Sequence, residues 1–95
     1  MPKYKISNEA KEDLRRIYKY GYQNFGEVAA DIYFDEFFLV FGRIAESPYH
    51  YQSVDYIRLG YKRCVCGADS VFYRIVNSQF EIMAMLGGQD TDHWL

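Results

Sequence analysis

Arginine and tyrosine recur at short intervals in the last third of the chain, at Arg58, Tyr61 and Arg63 and again at Tyr73 and Arg74. Guanidinium and phenol groups in that pattern anchor macromolecular partners, because they combine a flat apolar body with directed hydrogen bonding. The pattern points to a chain that acts by binding another macromolecule. Two other residue types could carry chemistry. Cys64 and Cys66 stand at i and i+2, on one face of a predicted strand. No CxxC or Cys/His spacing accompanies them, and His50 and His93 lie outside that strand. The pair therefore reads as two small half-buried thiols, with no metal and no cofactor expected.

These side chains need a scaffold, and the hydrophobic pattern supplies one. Lys3 to Ile6 alternates and predicts a short N-terminal strand. Ser7 is suited to cap a helix, with Glu9 in its first turn. Ala10, Leu14, Ile17, Tyr18, Gly21 and Phe25 then recur at helical spacing, and Gly26 stops the helix. Lys11, Arg15 and Lys19 fall on its polar side. A second helix is predicted from Glu27 to about Glu46, ended by Ser47-Pro48. Its main apolar arc holds Ala30, Tyr33, Phe34, Phe37, Val40, Phe41 and Ile44. Val28, Ile32 and Leu39 lie outside that arc, among Asp35 and Arg43, and predict a surface covered by a partner.

The short turn at Phe25-Gly26 folds the two helices into an antiparallel hairpin. A tyrosine-rich loop from Tyr49 to Tyr56 leads to three strands, near Tyr61–Cys66, Ser70–Val76 and Gln79–Leu86. Gly67-Ala68-Asp69 and Asn77-Ser78 suit hairpin turns, so these strands form an antiparallel meander. Strict alternation puts Phe80, Ile82, Ala84 and Leu86 on one face of the last strand and Glu81, Met83 and Met85 on the other. The fold class is α+β: an N-terminal strand and an antiparallel two-helix hairpin packed on a C-terminal antiparallel β-sheet.

The 95 residues suffice for one domain, spanning 1–95. Aromatics make up 19%, with ten Tyr and seven Phe, more than one small core uses. The net charge of −2 lacks the basic excess of a nucleic-acid binder. Charge is nevertheless segregated, with five acids and one base between Glu27 and Glu46. No signal peptide or membrane-spanning run is found, which gives a cytoplasmic expectation.

With its residues, this order of elements resembles the ParE branch of the ParE/RelE toxin superfamily of bacterial type II toxin–antitoxin systems. The matching positions are Tyr4-Lys5-Ile6-Ser7 with Ala10 and Asp13-Leu14, Ile17 with Tyr20, Phe25-Gly26 and Ala30. They continue through Ser47-Pro48, Ile57-Arg58-Leu59-Gly60-Tyr61-Lys62-Arg63, Phe72-Tyr73-Arg74-Ile75, Glu81-Ile82 and Asp90.

The resemblance implies a growth-inhibiting toxin held inactive by a cognate antitoxin. Members of the ParE branch act on DNA gyrase and block replication. The alternatives are a ribosome-dependent mRNA endoribonuclease of the RelE type or a non-toxic antitoxin-binding module. Message cleavage requires cationic groups for the developing phosphorane charge and a group placed for proton transfer. The run Ile82-Met83-Ala84-Met85-Leu86 has no base, and His93 is the sole acid–base candidate. The expectation is therefore a non-enzymatic inhibitor. Its target-binding residues would be Arg58, Tyr61, Arg63, Arg74, Asp90, His93 and Trp94, and its antitoxin-binding residues Val28, Ile32, Leu39, Met83 and Met85.

Overall fold

The computed structural model describes residues 4–87. Strand β1 (Tyr4–Ile6) leads into helices α1 (Asn8–Phe25) and α2 (Glu27–Glu46). Strands β2 (Gln52–Ser53), β3 (Tyr61–Cys66), β4 (Asp69–Val76) and β5 (Gln79–Gly87) follow. The α+β expectation holds, and both helices start and stop where their punctuating residues predict. Ser7 Oγ accepts from the Ala10 amide at 3.0 Å and so caps α1. Gly26 separates the helices with φ +90°, a value that disfavours any residue with a Cβ. The helices meet at Gly21 and Ala30, where a Cβ at Gly21 would sit 3.5 Å from that of Ala30, in ordinary contact.

The sheet order is β1-β5-β4-β3-β2. Strands β3, β4 and β5 form the expected meander, with turns at Gly67-Ala68 and Asn77-Ser78. Asn77 and Ser78 both have positive φ, the backbone twist that a two-residue hairpin favours. The N-terminal strand pairs with β5 in parallel, Tyr4 opposite Phe80 and Ile6 opposite Ile82, which makes the sheet mixed. Gln52 and Ser53, read from the sequence as loop, add a two-residue edge strand beside Arg63 and Lys62.

One face of the sheet carries the helical hairpin. Its core joins Leu14 and Ile17 of α1 and Phe37, Phe41 and Ile44 of α2 to Cys64, Val71, Tyr73, Phe80 and Ile82. The alternation predicted for β5 breaks at Met83. Phe72 pairs with Ala84 and Tyr73 with Ile82, which leaves Met83 as the extra residue of a bulge. Every side chain beyond it changes face. Ala84 and Leu86 turn away from the helices to join Phe72, and Met85 turns toward them and is 0% exposed. Met85 is thus a core residue and cannot offer an exposed contact to an antitoxin. A second correction concerns Phe25, which the helical pattern places inward but which is exposed at the hairpin turn beside Tyr20.

Candidate functional site

The sheet face turned away from the helices gathers the cationic and aromatic side chains. Tyr61 stands opposite Arg74, and Arg74 opposite Glu81, so the three form one row across β3, β4 and β5. Arg74 donates from Nε and Nη2 to Glu81 Oε1 at 3.0 and 2.8 Å. That carboxylate raises the pKa of the guanidinium further. One strand over, Arg63 Nε donates to the buried Ser70 Oγ at 2.8 Å. A guanidinium has five N–H donors, so these bonds fix the planes of Arg63 and Arg74 and leave donors for a partner.

The segment between β2 and β3 packs on this same face. Val54 is buried against Phe72 and Ala84, with Ile57, Tyr61 and Leu86 around them. Backbone bonds wind the segment tightly. Ile57 and Arg58 both donate to the Val54 carbonyl, at 2.8 and 3.0 Å, and the Tyr61 amide donates to Arg58 O at 3.1 Å. The Gly60 amide donates to Asp55 Oδ1 at 2.8 Å. Arg58 is exposed within this loop. The structure therefore brings Tyr61, Arg63 and Arg74 to one side of the sheet, with Arg58 in the loop that packs over it. Asp90, His93 and Trp94 lie outside the described residues.

The apolar residues predicted to meet an antitoxin fall elsewhere. Val28, Ile32 and Leu39 are 75, 57 and 62% exposed on the outer side of α2. At 100° per residue they share one stripe, and Asp31, Asp35 and Glu36 stand in it or beside it. Phe38, which is not among the residues expected to meet an antitoxin, is also exposed on this helix. Leu39 further lines a groove of about 280 Å³ with Val40, Val65 and Cys66. Met83 is half-buried in β5, away from this stripe, and its carbonyl accepts from Ser7 Oγ at 3.1 Å.

An apolar cavity of about 290 Å³ opens between the helices and the β3–β4 turn, lined by Ile17, Gly21, Ala30, Tyr33 and Phe34 among others. Tyr33 closes one end by donating to Cys66 O at 2.9 Å and Asp69 Oδ2 at 2.8 Å. Burial, then Asp69, pushes its phenol upward. Tyr18 donates to Asp31 Oδ1 at 2.7 Å, and that bond pushes its phenol up to about 12. Both tyrosines stay neutral and act as donors at physiological pH. Cys64 and Cys66 share the helix-facing side of β3, as their spacing predicts. Burial raises both thiols, Cys66 to about 11.

No group of three or more His, Cys, Asp or Glu is gathered among the described residues as a metal ion would require. No helix among them is long and apolar enough to cross a membrane. The tip of the 54–60 loop, where Tyr56 and Leu59 are exposed, has no counterpart among the expected residues. Only the spacing of Val54 and Ile57, three apart and both apolar, hinted that the loop has an inner and an outer side.

Residues 4–91 match the family model described as the ParE toxin of the type II toxin–antitoxin system parDE. Over 86 residues the chain is 38% identical to Toxin ParE1 of Caulobacter vibrioides, covering 90% of this chain and 88% of that protein. Its fold is similar to a solved chain from the chromosomal ParDE TA system of P. aeruginosa, with a TM-score of 0.80. That match covers 92% of this chain and 96% of the other at 15% identity, so it speaks for the fold alone.

Proposed function

Because the chain belongs to the ParE toxin family of type II toxin–antitoxin systems, we propose that it arrests growth in the cytoplasm by binding DNA gyrase and blocking replication, and that a cognate antitoxin neutralises it. The observation that carries this reading is the row Tyr61, Arg74 and Glu81 beside Arg63, on a sheet face free of helices. Its guanidiniums bond side chains on adjacent strands, Arg63 to Ser70 and Arg74 to Glu81. That is the behaviour of groups preorganised to meet a surface. Arginine and tyrosine held this way lose little conformational entropy on contact. The mechanism is grip, with no bond made or broken by the toxin itself.

Neutralisation is assigned to the outer side of α2. Large exposed apolar side chains at Val28, Ile32 and Leu39 are unusual on a helix whose other side is already buried. An amphipathic antitoxin segment covering them would remove apolar surface worth about 25 cal/mol per Å².

The test is a gyrase supercoiling assay with the purified toxin, with and without the product of the adjacent reading frame. Inhibition relieved by that product is expected. An unaffected gyrase at large molar excess would reject the target. Cut message on translating ribosomes would replace it with ribonuclease action.

A further inference from the structure

We infer that the 54–60 loop is a second docking element, distinct from the α2 stripe, which presents Tyr56 and Leu59 to an apolar depression rimmed by carboxylates on the toxin's protein target. This rests on the reading of the chain as a toxin with both a neutralising partner and a target.

Tyr56 is 72% and Leu59 86% exposed, the latter the most exposed large apolar side chain among the described residues. Single exposed apolar residues on a mobile loop mean little. This loop is different, because its backbone is held at both ends and across its middle. Val54 N donates to Tyr61 O at 2.9 Å and closes its base. The bonds to Val54 O and Asp55 Oδ1 wind its interior. Val54, fully buried, nails it to the sheet. A loop so fixed displays Tyr56 and Leu59 without the ordering entropy that binding otherwise demands.

Charge selects the partner. Arg58 lies between the two apolar residues in sequence, and Arg63 and Arg74 lie on the same sheet face. Arg74 and Glu81 offset each other as an ion pair, and Arg58 and Arg63 outnumber the remaining acid, Asp55, so this side keeps a small positive excess. The loop therefore suits an acidic rim. On α2 the balance is reversed, with five acids against one base over 27–46, which suits a basic segment. The two surfaces also lie on opposite faces of the sheet, α2 over the core containing Tyr73 and Phe80, the loop over Phe72 and Ala84. One flat interface cannot cover both. A nucleic acid fits the loop poorly, since an exposed leucine contributes nothing to phosphate binding.

The experiment compares the full chain with Tyr56→Ala/Leu59→Ser and, as a contrast, Ile32→Lys/Leu39→Lys. Circular dichroism and thermal melting verify the fold of each. The loop variant is expected to keep its antitoxin at unchanged affinity while losing growth arrest and at least tenfold of its potency on the target. The α2 variant is expected to keep arrest and lose the antitoxin. A folded loop variant that still arrests growth at wild-type dose overturns the proposal, even if the wild type inhibits gyrase as proposed above. Loss of antitoxin binding by the loop variant overturns it too, as would salt-sensitive binding of a DNA duplex that disappears with the loop substitutions. If gyrase proves not to be the target, growth arrest still reads the loop's role.

Discussion

The Asp13 carboxylate accepts a hydrogen bond at 3.0 Å from the backbone amide of Met85, 72 positions away in sequence. The contact finishes the work that β1 begins. That strand covers the outer edge of β5 only from Phe80 to Ile82. Beyond it, the cap and the first half of α1 take over: Ser7 Oγ donates to Met83 O, and Arg16 Nη2 donates to Met85 O at 3.0 Å. Asp13→Ala removes the acceptor of a part-buried amide and is expected to cost about 1–3 kcal/mol. Urea unfolding monitored by tyrosine fluorescence measures it. A variant within error of the wild type would mean that water replaces the carboxylate.

The same group makes stability depend on pH. Burial is the largest influence on Asp13 and raises its pKa above 3.8, with the Met85 amide and Arg16 opposing. A raised carboxyl pKa means that the folded chain holds the proton more tightly than the unfolded chain. For this group the fold gains as pH falls through the folded pKa toward the unfolded value, and the gain is lost as pH rises again. Asp13→Asn cannot titrate. Relative to that variant, the wild type is expected to gain stability between neutrality and about pH 4. A difference that stays flat, or shrinks toward acid, contradicts this.

Gly67, in the β3–β4 turn, has φ +58°, and a Cβ there would lie 2.6 Å from Cε1 of Tyr33. Gly67→Ala therefore brings backbone strain of about 1–2 kcal/mol together with displacement of the ring. Moving the ring breaks the phenol's bonds to Cys66 O and Asp69 Oδ2. A loss of about 2–4 kcal/mol is expected. Tyr33→Phe, which removes only the hydroxyl, should cost about 1 kcal/mol. Equal melting temperatures for the two variants would show that the ring yields freely.

The helices were legible because their boundaries are written locally. Ser7, Gly26 and Ser47-Pro48 act within a residue or two of where they stand. The faces of β5 were not legible past Met83, because nothing in Gln79–Leu86 marks a bulge. What holds the shifted register comes from Ser7, Asp13 and Arg16, some seventy positions distant. The parallel seat of β1 was equally hidden, since three alternating residues can extend either edge of a meander. Within the site, residue type alone singled out Arg63 and Arg74. The outward side of the 54–60 loop has no period to read, because its course is set by hydrogen bonds to Val54 O and Asp55.

Cys64 and Cys66 offer an internal probe of opening. Both are buried, and burial raises their thiols, that of Cys66 to about 11. Only the thiolate reacts with alkylating or disulfide reagents. At about pH 8 both thiols are therefore expected to label slowly in the native chain and fully in denaturant. As pH rises, native labelling should accelerate later than that of the unfolded chain, whose thiols ionise near 9. Stoichiometric labelling within seconds under native conditions would contradict the burial of β3 against α2.

The stripe on α2 separates folding from binding. Ile32 and Leu39 contribute little to the core because they are exposed, so replacing them should change folding stability by no more than about 0.5 kcal/mol each. Lysine is a good helix former, and here it would stand beside Asp31, Asp35 and Glu36. Ile32→Lys/Leu39→Lys is thus expected to melt near the wild-type temperature. Binding is another matter. On the docking proposed above, each substitution removes an apolar contact and adds a cation to the covered stripe, and interface anchors cost more than about 1 kcal/mol apiece. Weakening of the antitoxin complex by at least about thirtyfold follows, read by calorimetry or by co-purification from cells expressing both chains. An intact complex would place the antitoxin on another surface of the toxin.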